Sequence, residues 1–480
     1  KGKQAATAVL RPGLPMAASW DRRPPAQLDR TRDAAVRTQV VNAVAPFSPF
    51  WRGRLQALGR RASSVASVSG LTGLPAAGER DLCPDGDPRA AAALVLQAGE
   101  NGYALHAEGP QLRRALVRRL TAPGSYSAVV ENDTRPTSYV WAGLALSFPL
   151  ASTRSDLDVV ARAGARLWQV LGLSRADIVV SALPTLPTAQ TQALQLGALG
   201  AGSPLLAPGP QVEAVAAALS LVPASVLVVP ATGGADLLAA LVAAGVEWAG
   251  LTTLLVAGAP NEQERAALRQ ALDRAGLQQV VVLAVHVPDG HRVMWGECRE
   301  SAGSAGLHTY PDLEVVELVD PESGEHASRP GEVVVTQLGM RGSALLRWRT
   351  GDVADSVDEG ACPSCGRTVP RVVGVRRGVL VPELALRTGR APVDLRAVAS
   401  AVGGRTDVAD WRVVRGRSGR DDSDELLVHV APTSGADPAV VAEGVAHDVR
   451  VACGLLPTQV VVTEPAELPT GAGPTRRILA

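Results

Sequence analysis

Lysine is almost missing from this sequence, since it occurs only at Lys1 and Lys3 and every other basic residue is arginine. Chemistry that needs an ammonium group in the body of the chain is therefore disfavoured, because a guanidinium is not equivalent to an ammonium. The formal net charge is zero, from 47 basic and 47 acidic residues. This balance gives no global support to polyanion binding, and no nucleic-acid partner is expected.

Cysteines and long apolar runs are also scarce. Five cysteines, an odd number in a 480-residue chain, argue against a disulfide scaffold and for a reducing compartment. The apolar window from Trp141 to Ala151 is too short to cross a bilayer, and prolines interrupt the longer stretch from Leu205 to Pro230. The sequence thus predicts a cytoplasmic protein without a membrane span or signal peptide.

What the sequence does contain is a regular alternation of helices and strands from Asp156 onwards. Continuous apolar strands that alternate with helices predict an α/β protein with a mainly parallel sheet covered on both faces. Beyond His308 the strands shorten and alternate, which predicts an antiparallel ribbon or barrel attached to that sheet. After Arg376, two helices interleaved with three or four strands predict a small α+β unit.

These patterns divide the chain into three predicted parts. Residues 1–24 are expected to form a flexible tail, residues 25–375 a large N-terminal domain, and residues 376–480 a small C-terminal α+β domain. The hinge between the two domains is predicted near Arg376 to Pro382, where the short alternating strands give way to interleaved helices and strands.

Cys362 and Cys365 have the C-x2-C spacing of a zinc knuckle. Two cysteines make only half of a site, and Cys298 and His308 could supply the other half. A closed set of three cysteines and one histidine leaves no open coordination position, which is typical of structural rather than catalytic zinc. The alternative is four unconnected residues.

The stretch RWRTGD from Arg347 to Asp352, the CPSCGR knuckle and the segment from Gly296 to Glu325 resemble the adenylate-forming (AMP-binding) ligases, most closely the phenylacetate–CoA ligase branch. Those enzymes activate a carboxylic acid with ATP and pass the acyl group to coenzyme A. The resemblance implies a large α/β ligase domain followed by a mobile α+β domain, and it supports the zinc site because cysteines recur at these places in the family. It also implies that Asp352 holds the ribose hydroxyls of an adenylate, that Gly258 lines the adenine pocket and that the hinge-region arginine persists as Arg376 or Arg377.

Several motifs of that family are altered. The best match to its phosphate loop, Glu131 to Thr137, has no glycine and carries two acidic residues, so an ordinary surface loop is the favoured interpretation. Pro288 stands where a Mg²⁺-ligating glutamate is expected, and Pro474 where the catalytic lysine is expected. His286 and His291 lack a visible catalytic partner and are interpreted as loop residues.

The altered motifs favour a catalytically degraded homologue that keeps the fold and acts in binding, scaffolding or regulation. No catalytic residue is assigned. The expected cofactors are structural Zn²⁺ and weakly bound AMP or ATP, and the expected partners are a protein, a nucleotide, or an aromatic or acyl carboxylate. The alternative is an active ATP-dependent acyl- or aryl-CoA ligase. An unrelated metal-binding interaction module is disfavoured, because the resemblance extends well beyond the knuckle.

Overall fold

The computed structural model describes residues 20–97, 117, 120–121, 131–144, 146–248, 250–301, 306–327, 330–386, 389–421, 423–469 and 478–479. Its helices are α1 Pro25–Gln39, α2 Ala45–Phe47, α3 Pro49–Ala57, α4 Val68–Thr72, α5 Glu79–Leu82, α6 Arg154–Val170, α7 Ala189–Ala201, α8 Val212–Leu221, α9 Gly234–Ala243, α10 Glu262–Arg274, α11 Leu395–Gly403 and α12 Pro438–Cys453. Its strands are β1 Pro136–Ala142, β2 Phe148–Thr153, β3 Val179–Ser181, β4 Leu205–Leu206, β5 Val226–Pro230, β6 Thr253–Ala257, β7 Val281–His286, β8 Trp295–Gly296, β9 Leu307–His308, β10 Glu314–Val319, β11 Gly331–Gln337, β12 Trp348–Ala354, β13 Ser356–Asp358, β14 Arg371–Val373, β15 Glu383–Leu386, β16 Gly389–Pro392, β17 Val408–Arg417, β18 Asp424–Pro432, β19 Gln459–Val462 and β20 Ile478–Leu479. Among the described residues, none of the helices combines the length and apolar character that a bilayer crossing requires.

A nine-stranded sheet in the order β13-β14-β9-β8-β7-β6-β5-β3-β4 forms the centre of the fold. The strand pairs β4–β3, β3–β5, β5–β6 and β6–β7 are parallel. The pairs β7–β8, β8–β9, β9–β14 and β14–β13 are antiparallel. Successive side chains of the central strands enter different cores: Val228 and Leu255 pack on the side of α6 and α7, whereas Leu227 and Leu254 pack on the side of α8 to α10. Two buried faces explain why these strands are continuously apolar, and they confirm the predicted α/β class.

The antiparallel ribbon predicted beyond His308 is a separate three-stranded sheet, β10-β11-β12. Strand β12, the last strand of this small sheet, carries the TGD residues of the RWRTGD stretch. It therefore brings Asp352 towards the central sheet. The two sheets share one hydrophobic core, which includes Val315, Val333 and Trp348.

The C-terminal residues form a four-stranded sheet, β19-β18-β17-β20, with α11 and α12 in its core. Trp411, Val428 and Val445 are buried there in a cluster distinct from those of the central sheet. Buried charges join this unit to the rest: Arg396 at the start of α11 pairs with Glu332 of β11. The exact boundary near residue 376 stays a prediction.

Of the predicted tail 1–24, residues 1–19 lie outside the described residues, and the remainder is packed. Trp20 is buried and stacks on Tyr310 with ring centroids 5.5 Å apart. The Arg22 guanidinium donates to the Cys365 carbonyl at 3.0 Å, and the Arg367 Nε donates to the Asp21 carboxylate at 2.8 Å. The start of the described chain is therefore held against the C-x2-C turn.

Candidate metal centre and nucleotide site

Four metal-ligating side chains that are distant in sequence meet at the antiparallel end of the central sheet. The donor atoms of Cys298, His308, Cys362 and Cys365 all lie within 4.8 Å of one another, and all four residues are buried. The Sγ atoms of Cys298 and Cys362 are 3.9 Å apart, and the Cys365 Sγ is 3.6 Å from the His308 Nε2. Tetrahedral zinc, with bonds of about 2.3 Å to sulfur and about 2.0 Å to nitrogen, needs ligand separations of roughly 3.5–3.8 Å. The arrangement of the donors therefore suits a metal ion.

Strand pairing explains why these residues converge. Gly296 of β8 pairs with His308 of β9, and Cys298 follows two residues after Gly296. β9 also pairs with β14, and the loop that leads into β14 contains the C-x2-C turn. Within that turn the Gly366 N–H donates to the Cys362 carbonyl at 2.8 Å, with Gly366 in the left-handed conformation at φ 69°.

The pKa shifts at the cluster indicate which of its side chains would lose a proton when a metal ion binds. Burial, aided by the guanidinium groups of Arg367 and Arg371, lowers the pKa of His308 to about 3, so its imidazole is neutral. Burial raises the pKa of Cys298 to about 12. Burial also opposes ionisation of Cys362, but backbone N–H groups of the turn outweigh it and lower the pKa of that thiol. Because metals bind thiolates, metal binding would release protons here.

Asp352, the predicted ribose ligand, is buried and fully engaged. Its Oδ2 lies 2.7 Å from the Nε2 of His286, and its Oδ1 accepts a hydrogen bond from the Gly378 N–H at 2.8 Å. His286 is the last residue of β7, so its interpretation as a loop residue is wrong. Each carboxylate oxygen of Asp352 therefore already has a partner inside the protein.

His291 does lie in a loop, but it is buried and paired. Its Nε2 is 2.5 Å from the Glu314 Oε2. The same carboxylate accepts hydrogen bonds from the Trp295 Nε1 at 3.0 Å and from the Tyr310 N–H at 2.6 Å. This network ties the loop after β7 to β10, which is a structural role.

Arg376 and Arg377 are adjacent in the chain, but their side chains have different partners, and one of them contacts Gly258. Gly258 follows β6 with φ 124°, and a Cβ added there would lie 2.8 Å from the Arg377 Nη1. The Arg376 side chain instead donates to the Asp355 carboxylate at 2.8 Å and is 41% exposed. Of these two arginines, Arg377 therefore covers the Gly258 turn.

The segment matched to the phosphate loop is a short surface element. Residues 131–134 are helical and β1 begins at Pro136. The Arg135 side chain pairs with Glu131, and the Ser155 hydroxyl donates to the Asp133 carboxylate. The segment is thus partly helical, and the side chains of Glu131, Asp133 and Arg135 have partners within the protein. The lysine position, Pro474, lies outside the described residues.

A different loop, between β1 and β2, directs backbone donors at carboxylates. The N–H of Gly143 donates to the Asp289 Oδ1 at 2.8 Å. The N–H groups of Leu144 and Leu146 donate to the two oxygens of Glu79 at 2.6 and 2.7 Å. The N–H groups of Leu144 and Leu146 converge on one carboxylate, as the backbone donors of an anion-binding concavity do.

A cavity of about 260 Å³ opens beside this loop and is lined in part by Trp141, Gln190 and Asp289. Burial, together with the charge of Glu79 and to a lesser degree that of Asp352, raises the pKa of Asp289 to about 7. The hydrogen bond from the loop opposes this shift but does not cancel it. The surroundings of the cavity are thus acidic.

No protein-family model and no curated protein matches the sequence. Solved structures of 2-hydroxyisobutyryl-CoA ligase are similar to this chain in structure. The complex with 2-HIB-AMP and CoA in the thioesterification state has a TM-score of 0.60 at 17% identity, covering 97% of this chain and 94% of that chain. An open conformation with the same ligands also gives 0.60 at 17% identity, covering 98% and 96%.

The chain has the adenylate-forming ligase fold. At 17% identity the likeness concerns architecture and leaves the substrate open. Within this ligase fold, the contacts of Glu79, Asp289 and His286 had no sequence signal, because each side chain meets partners from distant segments. Gly143 was the one residue in the β1–β2 loop that could have pointed to a tight turn with φ near 96°.

Proposed function

We propose that this chain is a catalytically degraded relative of the phenylacetate–CoA ligase branch that acts in binding, scaffolding or regulation in the cytoplasm. A protein partner is expected, and AMP or ATP would bind weakly. One observation carries the proposal: both oxygens of Asp352 are engaged, by His286 and by the Gly378 N–H. A ribose could use only the lone pairs that these partners leave, so less binding energy would remain for a nucleotide.

The charges around the cavity support the same proposal. Asp289 interacts electrostatically with both Glu79 and Asp352, and each negative charge disfavours a triphosphate. The two lysines of the chain are at positions 1 and 3, so the ammonium group that the family uses during adenylation has no counterpart near the C-terminus. Loss of one preorganised electrostatic contact typically costs about 100- to 1,000-fold in rate.

The proposal includes a structural zinc ion held by Cys298, His308, Cys362 and Cys365. The separations of 3.9 and 3.6 Å between their donor atoms support it, as does the burial of all four residues. A four-ligand site leaves no position for a substrate, so the ion would supply stability and no reaction step. Its energetic contribution would hold β8, β9 and the C-x2-C turn together.

The alternative is an active ATP-dependent acyl- or aryl-CoA ligase. The cavity beside Asp289 favours it, because a cavity of about 260 Å³ has room for a small organic acid. The similar 2-hydroxyisobutyryl-CoA ligase binds 2-HIB-AMP and CoA. Arg377 beside Gly258 would place a cation at the expected adenine position.

An ATP–pyrophosphate exchange screen over aromatic and fatty acids distinguishes the two functions. We expect no acid-dependent exchange above the background of an Asp352→Asn variant. Exchange with any acid that disappears in Asp352→Asn would overturn the proposal and establish the ligase. Calorimetry with AMP gives a second readout, for which the proposal expects weak binding without chemistry.

A further inference from the structure

The loop between β1 and β2 already holds an anion, and the anion is a side chain of the protein. The N–H groups of Leu144 and Leu146 each take one oxygen of the same Glu79 carboxylate, at 2.6 and 2.7 Å. The turn depends on Gly143, because a Cβ there would lie 2.0 Å from the Leu146 carbonyl oxygen. The tight turn aims two backbone donors at a single planar two-oxygen group.

Glu79 reaches the loop from a segment anchored on the other side of the site. The Ala77 N–H donates to the Arg347 carbonyl, and its own carbonyl accepts from the Arg349 N–H, both at 2.8 Å. Strand β12, which contains Arg349, also supports the β1–β2 loop, since a Cβ on Gly351 of this strand would lie 2.7 Å from a methyl group of Leu144. Carboxylate and donors are therefore held in register by the strand that carries Asp352.

We propose that the β1–β2 loop is an oxyanion-binding site that Glu79 occupies in cis. An external carboxylate or phosphate binds there only when the Glu79 carboxylate is absent or displaced. This inference goes beyond the proposed function and does not depend on it, because Glu79 would close the loop in an active ligase and in a degraded one alike.

The surroundings select among external oxyanions. The third donor of the loop, the Gly143 N–H, is bonded to Asp289, whose carboxylate lies next to the site. A nearby negative charge repels a phosphate dianion more strongly than a carboxylate monoanion. The loop therefore prefers a small monocarboxylate such as formate, with inorganic phosphate as the weaker ligand.

The test removes the internal carboxylate and offers an external one. Glu79→Ala leaves the two N–H groups facing a void, and formate should bind there. At tenfold its Kd, formate should raise the Tm of this variant by about 1–2 °C relative to chloride at the same ionic strength. Phosphate, compared in the same way, should give a smaller rise. The wild type should show no formate-specific rise, because Glu79 fills the site.

Two further variants separate this effect from general salt stabilisation. Glu79→Met fills the space without oxygens and should show no response to formate. Glu443→Ala removes an exposed glutamate of α12 and should behave as the wild type. An equal response of wild type and Glu79→Ala would overturn the proposal, and so would no response in either.

If Glu79→Ala does not fold, Glu79→Gln replaces it in calorimetric titrations with formate. The amide offers one oxygen and an NH2 group that repels the second donor, so it competes less well for the loop. Saturable formate binding to Glu79→Gln and none to the wild type supports the internal occupant. Equal binding, or none to both, overturns it.

Discussion

Replacing Asp289 by Asn should remove a large pH dependence from the stability of this protein. Asp289 is partly buried beside the cavity, and its desolvation, with the charges of Glu79 and Asp352, raises its pKa from 3.8 to about 7. Asn keeps the oxygen that accepts the Gly143 N–H but carries no charge at any pH. The substitution therefore isolates the cost of ionising this one partly buried carboxyl group.

The direction follows from proton linkage. The folded protein holds the Asp289 proton more tightly than the unfolded chain, so the stabilisation is complete below about pH 4 and is lost as the pH rises through 7. A tenfold change in proton affinity corresponds to about 1.4 kcal/mol, which gives a total of about 4 kcal/mol. Asp289→Asn should thus match the wild type near pH 4 and exceed its stability by up to about 4 kcal/mol at pH 8.

Urea unfolding at intervals between pH 4 and pH 8 measures this difference. All other titrating groups are common to both proteins, so they largely cancel in the difference curve. Asp236→Asn, which changes an exposed aspartate of α9, serves as the control and should give a flat difference. A flat difference for Asp289→Asn as well would refute the reasoning, because Asp289 would then carry no raised pKa in the folded protein.

Purified protein should contain about one zinc ion per chain by metal analysis, and Cys365→Ser should lower the Tm far more than Cys453→Ser. Metal-free protein with an unchanged Tm would rule the site out. Arg396→Ala should cost about 2–3 kcal/mol in urea unfolding because it leaves the buried Glu332 with Arg349 as its remaining arginine partner, and adding Glu332→Gln should recover part of that loss. A double variant as unstable as Arg396→Ala would contradict this coupling. Limited proteolysis should cut first within residues 376–392, and cleavage only inside the α/β region would contradict the predicted hinge.

The regular part of the fold could be predicted because it is encoded locally. Apolar runs such as Thr253–Ala257 alternate with helices such as Glu262–Arg274, and each pattern is complete within about 15 residues. The four residues of the cluster Cys298, His308, Cys362 and Cys365 were also predicted to form a metal site, from the C-x2-C spacing and a family resemblance. Their meeting depends on the pairing of β8, β9 and β14, which no local pattern specifies.

The anion-binding loop could not be predicted in the same way. Its functional groups are the backbone N–H groups of Leu144 and Leu146, and every residue except proline has such a group. The best sequence match to the phosphate loop of the family is therefore residues 131–137, whose backbone is partly helical. The contact between His286 and Asp352 was missed for a related reason, since 66 residues separate the two side chains.

The attachment of Arg22 to the C-x2-C turn has a consequence during protein synthesis. The hydrogen bond from Arg22 to the Cys365 carbonyl spans 343 residues, so the two ends of this contact leave the ribosome far apart in time. At about 5–20 residues per second, the interval is roughly 20–70 s. Tyr310, against which Trp20 stacks in the finished protein, follows it by 290 residues, so Trp20 lacks this partner for roughly 15–60 s. During this time the nascent chain exposes the Trp20 side chain, and chaperones would have the opportunity to bind it.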